Sequence, residues 1–189
     1  MLSSYLLSKV SDLKWAPSGA VFVSQAFSPW LEDKGLIQRF SLSSWTPIPE
    51  NAPYVHMEES PQYFGHFPDE LYNPTGIALD SESETLWVTD DDFWGGHSWI
   101  SVFSSGGQLL ARTSCTGFES LLNRPHHPAL LSSNHLLLAS TAGLVLVHLN
   151  PQTPESCTAE LIAPSERVGT AIRSIRVVTE ESAFFLESP

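Results

Sequence analysis

Gly76-Ile-Ala-Leu-Asp-Ser-Glu-Ser-Glu-Thr-Leu-Trp-Val-Thr-Asp90, followed by Trp99-Ile-Ser-Val-Phe-Ser104 and then Gln108-Leu-Leu-Ala-Arg-Thr113, is the stretch of this 189-residue chain that decides its fold. β-Branched and aromatic residues alternate there with small or polar ones, the period-two pattern of strands. Ser-Glu-Ser-Glu and Ser104-Ser-Gly-Gly107 are turn sequences. The stretch therefore reads as antiparallel strands joined by tight turns.

Working outward, the same hairpin pattern recurs at residues 13–24, 127–141 and 174–187, with turns Pro-Ser-Gly, Ser-Ser-Asn and Thr-Glu-Glu-Ser. A third strand follows in two of these, Leu36-Ile-Gln-Arg-Phe-Ser41 and Leu144-Val-Leu-Val-His-Leu149, and a fourth, Cys157-Thr-Ala-Glu-Leu-Ile162, follows the latter. Four antiparallel strands repeating every 45–60 residues or so are the mark of a β-propeller blade. The expected units are 11–45, 73–114, 125–163 and 172–189, with a Pro-rich insertion at 46–72. The expected fold is all-β, a β-propeller of four-stranded antiparallel blades. About 14 strands can be placed, where a six-bladed ring takes about 24, so about three and a half blades of an incomplete six-bladed ring are expected. Such an arc is expected to be a fragment of a longer propeller; the alternatives are a homodimer or a second chain that completes the ring, or a strongly curved half-propeller that survives alone.

Within residues 64–110, Phe64-Gly-His-Phe67, Asn73-Pro-Thr-Gly-Ile-Ala-Leu-Asp80, Leu86-Trp-Val-Thr-Asp90, Ile100-Ser-Val-Phe-Ser104 and Gly107-Gln-Leu resemble one NHL repeat. Ile172-Arg-Ser-Ile-Arg-Val177 is similar to a segment of gluconolactonase-like six-bladed propellers. These families share architecture and not function, so the resemblance implies a fold ahead of an activity. In the related peptide-amidating lyase propellers a Pro-His pair supplies a zinc ligand, and Pro125-His126 resembles it, which makes His126 the candidate metal ligand. The equivalent positions in the other units are Ser11, Thr75 and Arg173, and Pro74-Thr75-Gly76 stands where gluconolactonase-like propellers carry a metal-binding Asn. The resemblance thus implies no assembled metal centre in these blades; Ca²⁺ or Zn²⁺ is the alternative to the expected absence of a cofactor.

Twenty-one acidic residues against nine basic ones give a net charge of −12, which excludes the simplest nucleic-acid and anionic-membrane partners. Eleven of the carboxylates lie between Phe40 and Ala111, where there is no Lys or Arg. Neither a signal peptide nor an apolar run of about 20 residues is apparent, so a cytoplasmic location is the expectation. Cys115 and Cys157, 42 residues apart, would fall on outer strands of neighbouring blades, too distant for a disulfide, and are expected as reduced thiols. Trp15, Trp87, Phe103, Phe184 and Phe185 are expected in the inter-blade core. Trp30, Trp45, Trp94 and Trp99 lie on or beside loops, with blade-edge packing the expectation for Trp99.

Propeller topology brings the lead-in to each first strand and the loop between the second and third strands to one face. That loop is expected to carry Asp90, Asp91, Asp92, Trp94 and His97; a lead-in carries His126 and His127; the insertion carries His66. Asp90 is expected to accept backbone hydrogen bonds at its strand end, whereas Asp91, Asp92, Trp94, His97, His66 and His127 form a candidate acidic and aromatic binding face. No G-x-S-x-G elbow or phosphate loop occurs. The reading is a non-catalytic propeller module that binds a protein or a small-molecule ligand. A gluconolactonase-like metal-dependent hydrolase or lyase with ligands on other blades, or a truncated remnant, is the alternative.

Overall fold

The computed structural model describes residues 10–25, 35–41, 62–64, 71–92, 97–149, 156–168, 172–179 and 182–187. They form three four-stranded antiparallel sheets and a two-stranded one. The first sheet contains β1 (Val10–Trp15), β2 (Ala20–Gln25), β3 (Leu36–Ser41) and β4 (Gln62–Phe64). The second contains β5 (Pro74–Leu79), β6 (Leu86–Asp92), β7 (His97–Phe103) and β8 (Leu109–Thr113). The third runs β9 (His126–Ser132), β10 (His135–Ser140), β11 (Gly143–Leu149) and β12 (Cys157–Pro164); a short α1 (Ser165–Val168) leads to β13 (Ile172–Thr179), paired with β14 (Ser182–Glu187). The Pro-rich stretch at 46–72 is thus more than an insertion: it supplies β4, whose Tyr63 pairs with Gln38 on the outer edge of the first sheet.

Each sheet meanders in chain order, and the first strands β1, β5, β9 and β13 contact one another in succession. That radial arrangement makes the sheets blades of a β-propeller. The blades pack face to face. Phe22 and Ile37 of the first meet Ile77, Leu86, Val88 and Phe103 of the second. On the second blade's other face, Trp87, Ile100 and Val102 meet Leu136, Leu138, Val145 and Val147 of the third. Leu137, Ala139 and Leu144 then meet Ile172 and Ile175. A strand buried on both faces needs apolar residues at consecutive positions, which is why Leu136-Leu-Leu-Ala139 shows no alternation.

Trp87 and Phe103 are core residues, but Trp15 is 58% exposed, contrary to expectation. Its register explains this. Lys14 pairs with Phe22, which faces the second blade, so Trp15 and Leu13 lie on the opposite face. The side chains of Phe184 and Phe185, and all of Trp30, Trp45 and Trp94, fall outside the described residues.

The first strands are also tied by hydrogen bonds that repeat from blade to blade. Ser11 Oγ donates to the Pro74 carbonyl at 2.7 Å, and the equivalent Thr75 hydroxyl donates to the Pro125 carbonyl. Each hydroxyl also meets a hydroxyl of its own second strand, Ser24 at 2.7 Å or Thr89 at 3.0 Å. Between them Gly76 lets β9 approach closely: a Cβ there would overlap Pro128 Cδ and stand 3.0 Å from the His127 nitrogen. Gly76→Ala is accordingly expected to destabilise the protein by about 1–3 kcal/mol, the usual cost of overpacking, measurable by urea denaturation.

Candidate functional site: the rim between the second and third blades

Asp90 is completely buried in β6, two residues before the strand ends. Its carboxylate accepts the backbone N–H groups of Tyr72 (3.0 Å) and Asn73 (2.6 Å), so it closes the turn that leads into β5, the role expected for an aspartate at this strand end. Arg112 on β8 reaches its Oδ2 at 3.5 Å, and the Arg112 guanidinium lies 4.4 Å from the ring centre of Trp99, which in turn stacks on Tyr72 at 5.5 Å. Trp99 is therefore packing for the blade edge, as anticipated. Burial pushes the Asp90 carboxyl up to about 6, against the pull of the two N–H groups and Arg112; the neighbouring Asp91 charge adds to the rise.

Asp91 and Asp92 lie within β6, and His97 opens β7, opposite Asp92 in register; these residues are strand ends, not the loop expected from sequence. The buried Asp91 receives Ser98 Oγ at 3.4 Å and faces Arg124 at 3.8 Å. Arg124 closes the connector between β8 and β9. The connector curls over the seam between the two blades, with Phe118 N donating to Cys115 O (2.9 Å), Leu121 N to Phe118 O (2.9 Å), and Leu122 buried beneath. Between this curl and β7 lies a cavity of about 610 Å³, lined by His97, Ser98, Ser114, Glu119, Ser120, Leu122 and Asn123. Glu119 is exposed there, and a hydrogen bond from Gly117 N, shared between its two carboxylate oxygens, holds its carboxyl below the ordinary range.

The two cysteines correct the sequence reading. Cys115 and Cys157 form a disulfide with Cα atoms 5.0 Å apart. Outer strands one blade apart would hold them far from each other, but Cys115 lies just past β8, where a positive φ of 50° turns the chain back onto the third blade's outer strand. The expected reduced thiols are replaced by a covalent tie at the cavity wall.

His127 lies apart from that cavity. With Ser11, Asp12, Lys14, Pro128, Ser174 and Ile175 it lines a smaller one of about 140 Å³ between the innermost strands. Asp12 is engaged there, its Oδ2 accepting from Ile77 N (3.1 Å) and its Oδ1 pairing with Lys14 (3.2 Å). Burial, followed by the neighbouring His126, lowers the His127 pKa and favours neutral imidazole. His126 Nδ1 sits 2.8 Å from the Arg124 carbonyl, an acceptor, so Nδ1 is the donor of this bond. Among the described residues no three His, Cys, Asp or Glu side chains are grouped so as to hold a metal ion.

The candidate binding residues thus divide. Asp91 and His97 belong to the rim, His127 to the inner cavity; Asp92 is placed by its backbone alone, and His66 and Trp94 lie outside the described residues. Sequence reasoning missed Arg124, Glu119 and Asn123, which carry no motif and reach the rim only through the connector's curl.

The fold defines a β-propeller, and the rim a polar recess between two of its blades. No family model matches the chain, and no curated protein matches it. Among solved structures it is similar to a chain from a crystal structure of a nidogen/laminin complex, with a TM-score of 0.49 and 17% identity over 79% of this chain and 47% of that one. The chain spans about half the length of that solved chain. No helix among the described residues is long and apolar enough to cross a membrane.

Proposed function

We propose that the protein is a propeller module that binds a partner protein or a small ligand, without turnover, through the rim between its second and third blades. The observation that supports this reading is the cavity of about 610 Å³, walled by imidazole, carboxylate, hydroxyl and amide groups. Its size falls within the range of about 300–1,000 Å³ typical of ligand sites, and its polar groups converge from two elements. Exposed Glu119 in a chain of net charge −12 favours a partner that presents a basic group.

A thermal-shift titration with a tetralysine peptide, run at low salt beside a neutral control peptide, tests the assignment. The melting temperature is expected to rise with tetralysine, and the rise to fall by half or more in a His97→Ala, Glu119→Gln double variant, which changes two exposed side chains of the rim. No rise, or a rise that the double variant leaves intact, would reject the rim as the site. Lactone hydrolysis dependent on Ca²⁺ or Zn²⁺ and lost in His126→Ala would instead favour the metal-dependent hydrolase.

A further inference from the structure

We propose that the Cys115–Cys157 disulfide is a redox latch on the wall of the rim cavity. The connector that forms this wall is pinned at its middle by Leu122, buried in the apolar seam with Phe118 and Leu121 packed against it, and is tied at both ends. Arg124 at its far end faces Asp91 at 3.8 Å, and Asn123 O accepts Thr141 N at 3.0 Å. The near end is held by the disulfide to β12, next to the cavity-lining Ser114. Between these ends the backbone makes only single-turn hydrogen bonds at Phe118, Leu121 and Leu122, so with the disulfide gone the near half of the wall depends on the packing of these three side chains alone, local structure that opens before the blades do.

The chemistry is ordinary exchange with a dithiol reductant. Cys115 is fully buried, whereas Cys157 is partly exposed at the start of β12, so the reductant's thiolate attacks the Cys157 sulfur. The Cys115–Cys157 bond breaks and Cys115 leaves as a thiolate, which takes up a proton. The reductant's second thiolate then attacks its own sulfur in the mixed disulfide, forming the reductant's disulfide and releasing Cys157, which is protonated in turn. Two electrons and two protons pass to the protein. The freed wall no longer has to follow β12; any effect on ligand affinity rests on the binding reading above, but the latch itself does not.

Native-state chymotrypsin digestion tests the latch without a ligand. Protein treated with dithiothreitol and alkylated is expected to receive its first cut after Phe118, Leu121 or Leu122, at least tenfold faster than the oxidised protein, while its far-UV circular dichroism is unchanged. Cys157→Ala, which leaves the connector sequence intact, should give the same early cut without reductant. An unchanged rate, or first cuts scattered over the blade strands, would overturn the proposal, the latter by showing a staple of the whole fold instead of a latch on one wall.

Discussion

Asp90→Ala is expected to lower the unfolding free energy by about 2–4 kcal/mol, because it removes the buried carboxylate that accepts the Tyr72 and Asn73 N–H groups and pairs with Arg112. Chemical denaturation at pH 7 measures the loss; a change below about 0.5 kcal/mol, the scale of surface substitutions, would show that the turn at 72–73 does not depend on this side chain. Asp90→Asn separates the charge from the hydrogen bonds. The folded-state pKa, raised to about 6, exceeds the ordinary carboxylate value, so protonated Asp90 favours the folded state. That contribution is fully present below about pH 4 and is lost as the pH rises through about 6, a total of about 3 kcal/mol at the usual conversion. Stability measured at steps between pH 4 and 7 should therefore fall less steeply with rising pH in Asp90→Asn than in the parent protein. Parallel profiles would show that Asp90 titrates normally.

Removing the disulfide by a Cys115→Ser, Cys157→Ser double substitution is expected to cost about 4 kcal/mol. That is the loop-closure estimate for a cross-link with a sequence separation of 42 residues. At this chain length it corresponds to a fall in melting temperature of roughly 8–16 °C. The double variant must be compared with the oxidised parent, because only then does the difference report the covalent link. A fall within 2 °C would mean that the seam between the second and third blades is held by its apolar contacts alone.

The blades were legible in sequence where each strand's register is written by alternation. Ile77, Trp87 and Val102 announce the second blade, and Asp90 at a strand end announces its own acceptor role. The third blade was legible from its turns instead, since Leu136 to Ala139 is buried on both faces and carries no alternation. Misreadings arose where position depends on neighbours. Trp15 looks like any core tryptophan, and only pairing with Val21, on the face turned from the second blade, exposes it. The disulfide was invisible because a separation of 42 residues matches the blade period, while the actual proximity comes from the reversal at Cys115. The rim was half legible for the same reason: Asp91 and His97 stand on paired strands, but the groups opposite them come from a connector whose path no local pattern specifies.

The second and third blades pack as neighbours, with the connector curled over their seam. Peptide mapping of folded, air-oxidised protein under non-reducing conditions tests it most directly. One cross-linked pair is expected, joining the peptides that contain Cys115 and Cys157, with a mass two hydrogens below their sum and no alkylation of either thiol before reduction. Two freely alkylated thiols in protein that shows a folded β-sheet spectrum would contradict it.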